Sequence, residues 1–151
     1  MYKKILLPID GSEISAIAAN AGISFASQIG AEIVTINVTQ PFSTLIGFDG
    51  MAASYAISDG DYEEAAQKEA KEYLKPVLER ADAAGVKVTS VVTSNYNVAD
   101  GIIDAAKEHG CDLIYIATHG RSGLSRLLLG SVTTKVISLA PVSVLVYRVQ
   151  S

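Results

Sequence analysis

The chain has 151 residues, of which 49% are hydrophobic and 19% charged, and its formal net charge is −4 at pH 7. This composition is typical of a globular protein with an ordinary core, and the acidic balance without a basic tail excludes a nucleic-acid-binding protein. No segment approaches the ~20 apolar residues of a membrane span, which excludes a membrane protein.

The single cysteine, Cys111, cannot form an internal disulfide, and we interpret it as a small buried residue. The N-terminal segment lacks a signal-peptide pattern. We therefore expect a cytoplasmic protein in which residues 1–151 form a single domain.

The first 30 residues predict a strand followed by a helix. The apolar run from Lys3 to Pro8 is typical of a parallel strand buried on both faces. A helix is predicted from Glu13 to Ile29, capped by Ser12 or Asp10 and ended by Gly30. Helical spacing predicts that its buried face consists of Ile14, Ile17, Ala18, Ala21 and Phe25.

The middle of the chain predicts a strand, a long loop, a helix and a strand. The two strands are expected at Ala31–Val38 and Val86–Thr93, and the helix at Asp61–Ala84 with a kink or break at Pro76. The loop carries apolar and aromatic residues between Phe42 and Tyr55. A loop of this length is usually functional or mobile, and these residues predict packing over a site or against a partner.

The last third of the chain continues the same alternation. We predict a helix that is capped by Asn97 and runs to His109, followed by a strand at "CDLIYIA". A helix is then expected at Ser131–Leu139, and the last strand at Val142–Val149. Strands joined by helices are parallel, and their crossovers are right-handed. The sequence therefore predicts an α/β fold: a five-stranded doubly wound parallel sheet with helices on both faces.

Ligands of such sheets bind beyond the carboxyl ends of the strands, so "THGRSGLSRLLLGSVTTK" is the leading candidate segment. Gly120 allows close backbone approach and a positive φ. The helix that begins at Gly130, Ser131 and Val132 offers free N–H groups to an anion. The segment matches neither a Walker A loop nor G-x-G-x-x-G. The alternative is that its glycine and serine residues only end and begin regular elements.

The polar residues around this segment leave alternatives open. Arg121 and Arg126 are either phosphate ligands or, more commonly, solvated side chains. His119 could donate to a phosphate, but it has no paired carboxylate. Asp10 either caps the first helix or holds a ribose hydroxyl or a metal-bound water, and the two roles are compatible. No pattern predicts catalytic residues or a protein metal site.

Three blocks, "ILLPIDGSEIS", "THGRSGLSRLLLGSVTTKV" and "PVSVLVYR", resemble the universal stress protein family. The resemblance spans essentially the whole chain. It implies a Rossmann-like fold of the adenine nucleotide alpha hydrolase type, ATP binding without a defined enzymatic reaction, and a homodimer joined through the last strand, Val142 to Val149. The apolar edge of that strand independently predicts pairing with another chain.

The family's ATP motif, G-x-x-G-x9-G-[ST], is matched by Gly120, Gly130 and Ser131, whereas Ala117 stands at its first glycine. The resemblance implies that Asp10 holds the ribose, that the backbone of Val38 meets the adenine and that Val132 joins the phosphate cradle. The whole implied site comprises Pro8, Asp10, Val38, Ala117, His119, Gly120, Arg121, Gly130, Ser131 and Val132. If Ala117 needs a positive φ, the backbone strain would cost about 1 kcal/mol. If its backbone is extended, the only effect would be a methyl group that narrows the approach to the ribose.

The leading hypothesis is a homodimeric stress-response regulator that binds ATP, with Mg²⁺ held through the phosphates. Slow ATP hydrolysis is the most that its residues predict. The alternative is a dimeric stress-signalling protein that binds no nucleotide and acts through protein contacts, with Ala117 as its mark. An enzyme such as a nucleotidyl transferase, or a flavin carrier, is disfavoured because neither an acid–base pair nor an aromatic flavin sandwich is present.

Overall fold

A computed structural model describes residues 1–46, 58–120 and 129–150. These residues form strands β1 (Lys4–Pro8), β2 (Glu32–Thr39), β3 (Val88–Ser94), β4 (Leu113–Gly120) and β5 (Ser143–Gln150), and helices α1 (Glu13–Ile29), α2 (Phe42–Ile46), α3 (Asp59–Ala83), α4 (Val98–Glu108) and α5 (Ser131–Leu139). The strands form one parallel sheet in the order β3-β2-β1-β4-β5. The predicted fold class is confirmed.

The core lies in two layers, one on each face of the sheet. Ile5 and Leu7 of β1 pack under α1 and α3, whereas Leu6 between them packs under α4 and α5. Successive residues of a strand face opposite sides, so a central strand covered on both faces needs an unbroken apolar run. This requirement explains the sequence "KILLP".

Helix α1 has the predicted bounds and ends, but its predicted buried face is confirmed only in part: Ala18 is buried, Ala21 and Phe25 pack against the core while partly buried, and Ile17 is exposed. Ser12 caps the helix by accepting a hydrogen bond from the Ser15 amide, and Gly30 ends it at a φ of +69°. The buried residues are Ser15, Ala18, Ala19, Gly22, Ile23 and Ala26, so Ala18 alone of the predicted set is among them, and Ile17 is 37% exposed. The reason is close packing: a Cβ on Gly22 would lie 2.7 Å from Leu7 Cδ2. Small residues therefore mark the contact face.

Helix α3 starts earlier than predicted and is not broken at Pro76. Ser58 caps it by accepting from the Asp61 amide, so the helix begins at Asp59. Proline leaves the carbonyl four residues earlier without its partner. Both Pro76 and Glu72, which carries that carbonyl, are exposed, so water can satisfy it and the helix continues.

Of the predicted loop, Phe42–Ile46 forms α2, and the ring of Phe42 lies 5.2 Å from that of Tyr62 in α3. The part of the loop at 47–57 lies outside the described residues.

Cys111 is buried as predicted, and burial raises the pKa of its thiol to about 11. Among the helices that the structure describes, none is long and apolar enough to cross a bilayer.

Candidate functional site

The sheet has a notch at the carboxyl end of β1. Pairing of β1 with β2 ends at Pro8 opposite Ile36, but β2 stays paired with β3 as far as Thr39. On the other side, β4 pairs with β1 only near Leu113 and Ile114 and with β5 as far as Gly120. Because both neighbours of β1 project past it, their strand ends form the two sides of a cleft. This is the switch point at which open α/β sheets bind ligands.

The cleft has a volume of about 350 Å³ and is closed by the first turn of α1, by α4 and by the start of α5. Seven of the ten predicted site residues line it: Pro8, Asp10, Val38, Ala117, Gly130, Ser131 and Val132. His119 and Gly120 are the last residues of β4, which runs three residues further than predicted, and the position of the His119 side chain lies outside the description. Arg121 and Arg126 lie outside the described residues.

Asp10 lies in the turn between β1 and α1, where it supports the helix cap. Its Oδ1 accepts hydrogen bonds from the Ser12 amide at 3.0 Å and the Ser12 hydroxyl at 2.6 Å. Of the two residues predicted as the cap of α1, Ser12 is the cap itself. Asp10 supports the cap indirectly, by accepting hydrogen bonds from Ser12. Desolvation favours the neutral carboxyl, but the hydrogen bonds from Ser12 and Ser15 outweigh it and lower the pKa of Asp10. Asp10 is therefore a carboxylate at neutral pH.

Asn37 is a cleft residue that the sequence-based site did not include. Its side chain is only 7% exposed, and its Nδ2 donates to the Ile9 carbonyl at 2.8 Å, which joins the ends of β1 and β2. The signal in the sequence was an amide at the end of an otherwise apolar strand. The sequence-based site also left out the apolar residues that line the cleft, because hydrophobic periodicity does not distinguish a residue that lines a cleft from one in the core. These residues are Ile14, Ile36, Val98, Ile102 and Ile116.

The start of α5 faces the cleft without a side-chain cap. Gly130 is its N-cap, with φ −58° and ψ 154°, and the first turn holds no acidic residue. Thr133 is buried and donates from Oγ1 to the Ala117 carbonyl at 3.3 Å, which fixes the helix start over β4. Lys135 Nζ lies 2.8 Å from Asp100 Oδ2 and joins α5 to α4. The first amides of α5 are therefore held in place beside the cleft and are suited to an anion.

Ala117 has an extended backbone, which is one of the two geometries considered for it; the other was a positive φ. It lies inside β4, opposite Tyr147 of β5, and the described non-glycine residues include none with a positive φ. The backbone strain expected for a positive φ is therefore absent. Ala117 lines the cleft and also packs against the core layer under α1, so its methyl group takes space there without straining the backbone.

Comparison with known proteins gives a consistent result. Residues 1–148 match the model of the universal stress protein family. The chain is 36% identical over 148 residues to the universal stress protein MJ0531 of Methanocaldococcus jannaschii, an alignment that covers 98% of this chain and 83% of the relative.

Solved structures resemble the fold over its whole length. The protein MJ0577 of Methanocaldococcus jannaschii is 26% identical with a TM-score of 0.78, and the match covers 100% of this chain and 99% of that one. A universal stress protein in complex with cAMP has 22% identity and a TM-score of 0.64, with 97% of each chain covered. The universal stress protein of Archaeoglobus fulgidus in complex with dAMP has 20% identity and a TM-score of 0.63, and the match covers 96% of this chain and 97% of that one.

Proposed function

The chain belongs to the universal stress protein family, and from that premise we propose that it is a regulator that binds ATP in the cleft at the carboxyl end of β1. Family relatives whose structures hold cAMP and dAMP support an adenine nucleotide as the ligand class. The observation that carries the proposal is the start of α5 without a side-chain cap, held beside a cleft that is also lined by the carboxylate-bearing Asp10.

The two ends of the cleft suit the two ends of a nucleotide. Its described lining residues include one ionisable side chain, Asp10, in the turn after β1, and the start of α5 with Gly130, Ser131 and Val132, where no side chain caps the helix. A triphosphate favours the amides and the positive end of the helix dipole. The ribose then lies towards Asp10, and the adenine lies against the apolar wall and the backbone of Val38.

A metal ion would enter with the nucleotide. The described residues hold no group of three His, Cys, Asp or Glu side chains placed to bind a metal. Mg²⁺ usually keeps several waters and is bound through substrate phosphates. We therefore expect ATP to bind as its magnesium complex, with few direct protein–metal contacts.

The proposed role of the nucleotide is to shift an equilibrium between two states of a homodimer joined through β5. A ligand shifts such an equilibrium by its difference in affinity for the two states. Among the described cleft residues, Asp10 is the sole candidate to position a water, which supports slow hydrolysis at most.

The test is calorimetric titration of the purified protein with ATP and Mg²⁺, preceded by release and identification of any small molecule that it carries. We expect ATP to bind. No heat at millimolar ATP and no adenine nucleotide released would overturn the proposal and favour a protein that acts through protein contacts alone.

The matched variant is Gly130→Asp. A Cβ at Gly130 meets no atom of the described residues within 4 Å, and its backbone angles suit a capping residue. The new carboxylate should cap α5 and raise the free energy of unfolding by about 0.5–1 kcal/mol. It should weaken ATP binding by about a hundredfold, because it repels the phosphates. Adenosine, which has no phosphate, is the control ligand, and its affinity should not change.

A further inference from the structure

Helices α4 and α5 both contribute to the wall of the cleft, and an ion pair joins them. Val98 and Ile102 of α4 line the cleft, and so do residues 130–133 at the start of α5. Lys135 Nζ lies 2.8 Å from Asp100 Oδ2, and neither of these two residues lines the cleft. The pair therefore links the two helices from outside the site.

Asp100 belongs to the most closely packed part of α4. It lies in the first turn of the helix, where its amide donates to Oδ1 of the N-cap residue Asn97 at 3.3 Å. The next residue, Gly101, lies so near the end of β2 that a Cβ there would be 2.8 Å from Val38 Cγ1. The carboxylate of Asp100 is thus carried by a helix start that is fixed on the sheet.

Lys135 provides one of two side-chain hydrogen bonds that tie α5 to other elements, among the residues that the structure describes. The other runs from Thr133 Oγ1 to the Ala117 carbonyl at 3.3 Å and ties α5 to β4. Lys135 lies about one helical turn after Ser131, and its bond to the Asp100 carboxylate at 2.8 Å is charge-assisted. The start of α5 is therefore held to the sheet by one bond and to α4 by the other.

The ion pair adds direction to a contact that is otherwise apolar. Ala99 and Ile102 of α4 and Val132 and Val136 of α5 belong to the same core layer. Apolar contact is non-directional and leaves a helix free to shift along its neighbour. A hydrogen-bonded ion pair requires a particular distance and angle, so it determines where α5 lies along α4.

We propose that Asp100 and Lys135 are positioning residues for the nucleotide: their ion pair fixes the distance between the cleft wall formed by α4 and the first amides of α5, so that one ligand contacts both. This inference rests on the proposed function. A ligand that spans two groups binds best when both are already in place, because binding then does not have to order them. Without the pair, a fraction of the molecules holds α5 out of place, and the measured affinity falls with the fraction that remains competent.

The test is calorimetric titration of folded variants with ATP and Mg²⁺. Because the two side chains are 35% and 44% exposed, loss of the pair should change the affinity by about fivefold at most. Asp100→Asn and Lys135→Met should each weaken ATP binding by about threefold. The double variant should bind no more weakly than the weaker single variant, because the pair is lost only once. Lys135→Arg keeps a cation for Asp100 and should bind ATP like the wild type.

Asp100→Asn separates positioning from the simple effect of charge. If charge alone mattered, removing a carboxylate near a phosphate site would strengthen ATP binding, whereas loss of the pair weakens it. Asp104→Asn is the matched control: it makes the same change of charge on the same helix, but Asp104 is 66% exposed and lies 3.9 Å from Lys107. Its affinity for ATP should not fall.

Unchanged or stronger ATP binding by Asp100→Asn would overturn this inference and leave the proposed function intact. An equal loss of affinity in Asp104→Asn, or losses that add up in the double variant, would have the same consequence. Absence of ATP binding by the wild-type protein would overturn the proposed function and this inference with it.

Discussion

At the scale of single residues, Asp10 supports a helix cap and also lines the cleft. Its Oδ1 takes both hydrogen bonds from Ser12, which in turn caps α1. Asp10 is also one of the residues that line the cleft. Its support of the cap is therefore compatible with the predicted ligand role, which stays a prediction.

Ala117 allows a direct test of how much one methyl group matters. Because its backbone is extended, Ala117→Gly should relieve no strain and should lower the free energy of unfolding by about 0.5–1 kcal/mol. Removing the methyl should strengthen ATP binding by no more than about tenfold. Urea denaturation and calorimetry measure the two effects. A variant that gained both stability and a thousandfold in affinity would show that Ala117 is strained.

At the scale of elements, the approach of α4 to the end of β2 depends on a glycine. A Cβ on Gly101 would lie 2.8 Å from Val38 Cγ1 and 3.2 Å from the Asn95 Cβ, so α4 can come this near only without a side chain there. Val38 lines the cleft, so the position of α4 also sets the width of the cleft beside Val38.

We expect Gly101→Ala to destabilise the protein by about 1–2 kcal/mol, because crowding outweighs the gain in helix propensity. It should also weaken ATP binding by moving Val38. Gly60→Ala, in the first turn of α3, is the matched control: among the described residues its Cβ would meet nothing nearer than 3.9 Å, and alanine should be neutral or stabilising there. Chemical denaturation measures the free energy of unfolding of both variants. An equal decrease in the two variants would contradict the packing argument.

Elements were predicted well where their signal is local. The start of α5 at Ser131 and the ends of α1 follow from caps and punctuation within a few residues. Predictions failed where distant contacts decide. The buried face of α1 depends on Leu7, and β4 continues past Ala117 because β5 pairs with it as far as Gly120.

At the scale of the whole molecule, β5 lies at the edge of the sheet, where the described strands pair it with β4 alone. Beside it, α5 exposes Ile137 and Leu139, which are 42% and 57% accessible. An apolar strand at a sheet edge favours pairing with another chain.

We therefore expect a homodimer of twice the 15.9 kDa chain mass. Sedimentation or light scattering between micromolar and tens of micromolar concentration measures it, with and without ATP. A monomer throughout this range would contradict the prediction, and it would leave nucleotide binding untouched because the described cleft lies within one chain.

The sequence by itself determined the alternation of strands and helices, the parallel sheet and the segment that begins α5 beside the cleft. These follow from periodicity, caps and connection rules, which act over a few residues at a time. Only the tertiary structure decided how far β2 and β4 project past β1, that Lys135 pairs with Asp100, and that Ala117 is extended. These features depend on strand register and on contacts between residues far apart in the chain, which local patterns do not encode.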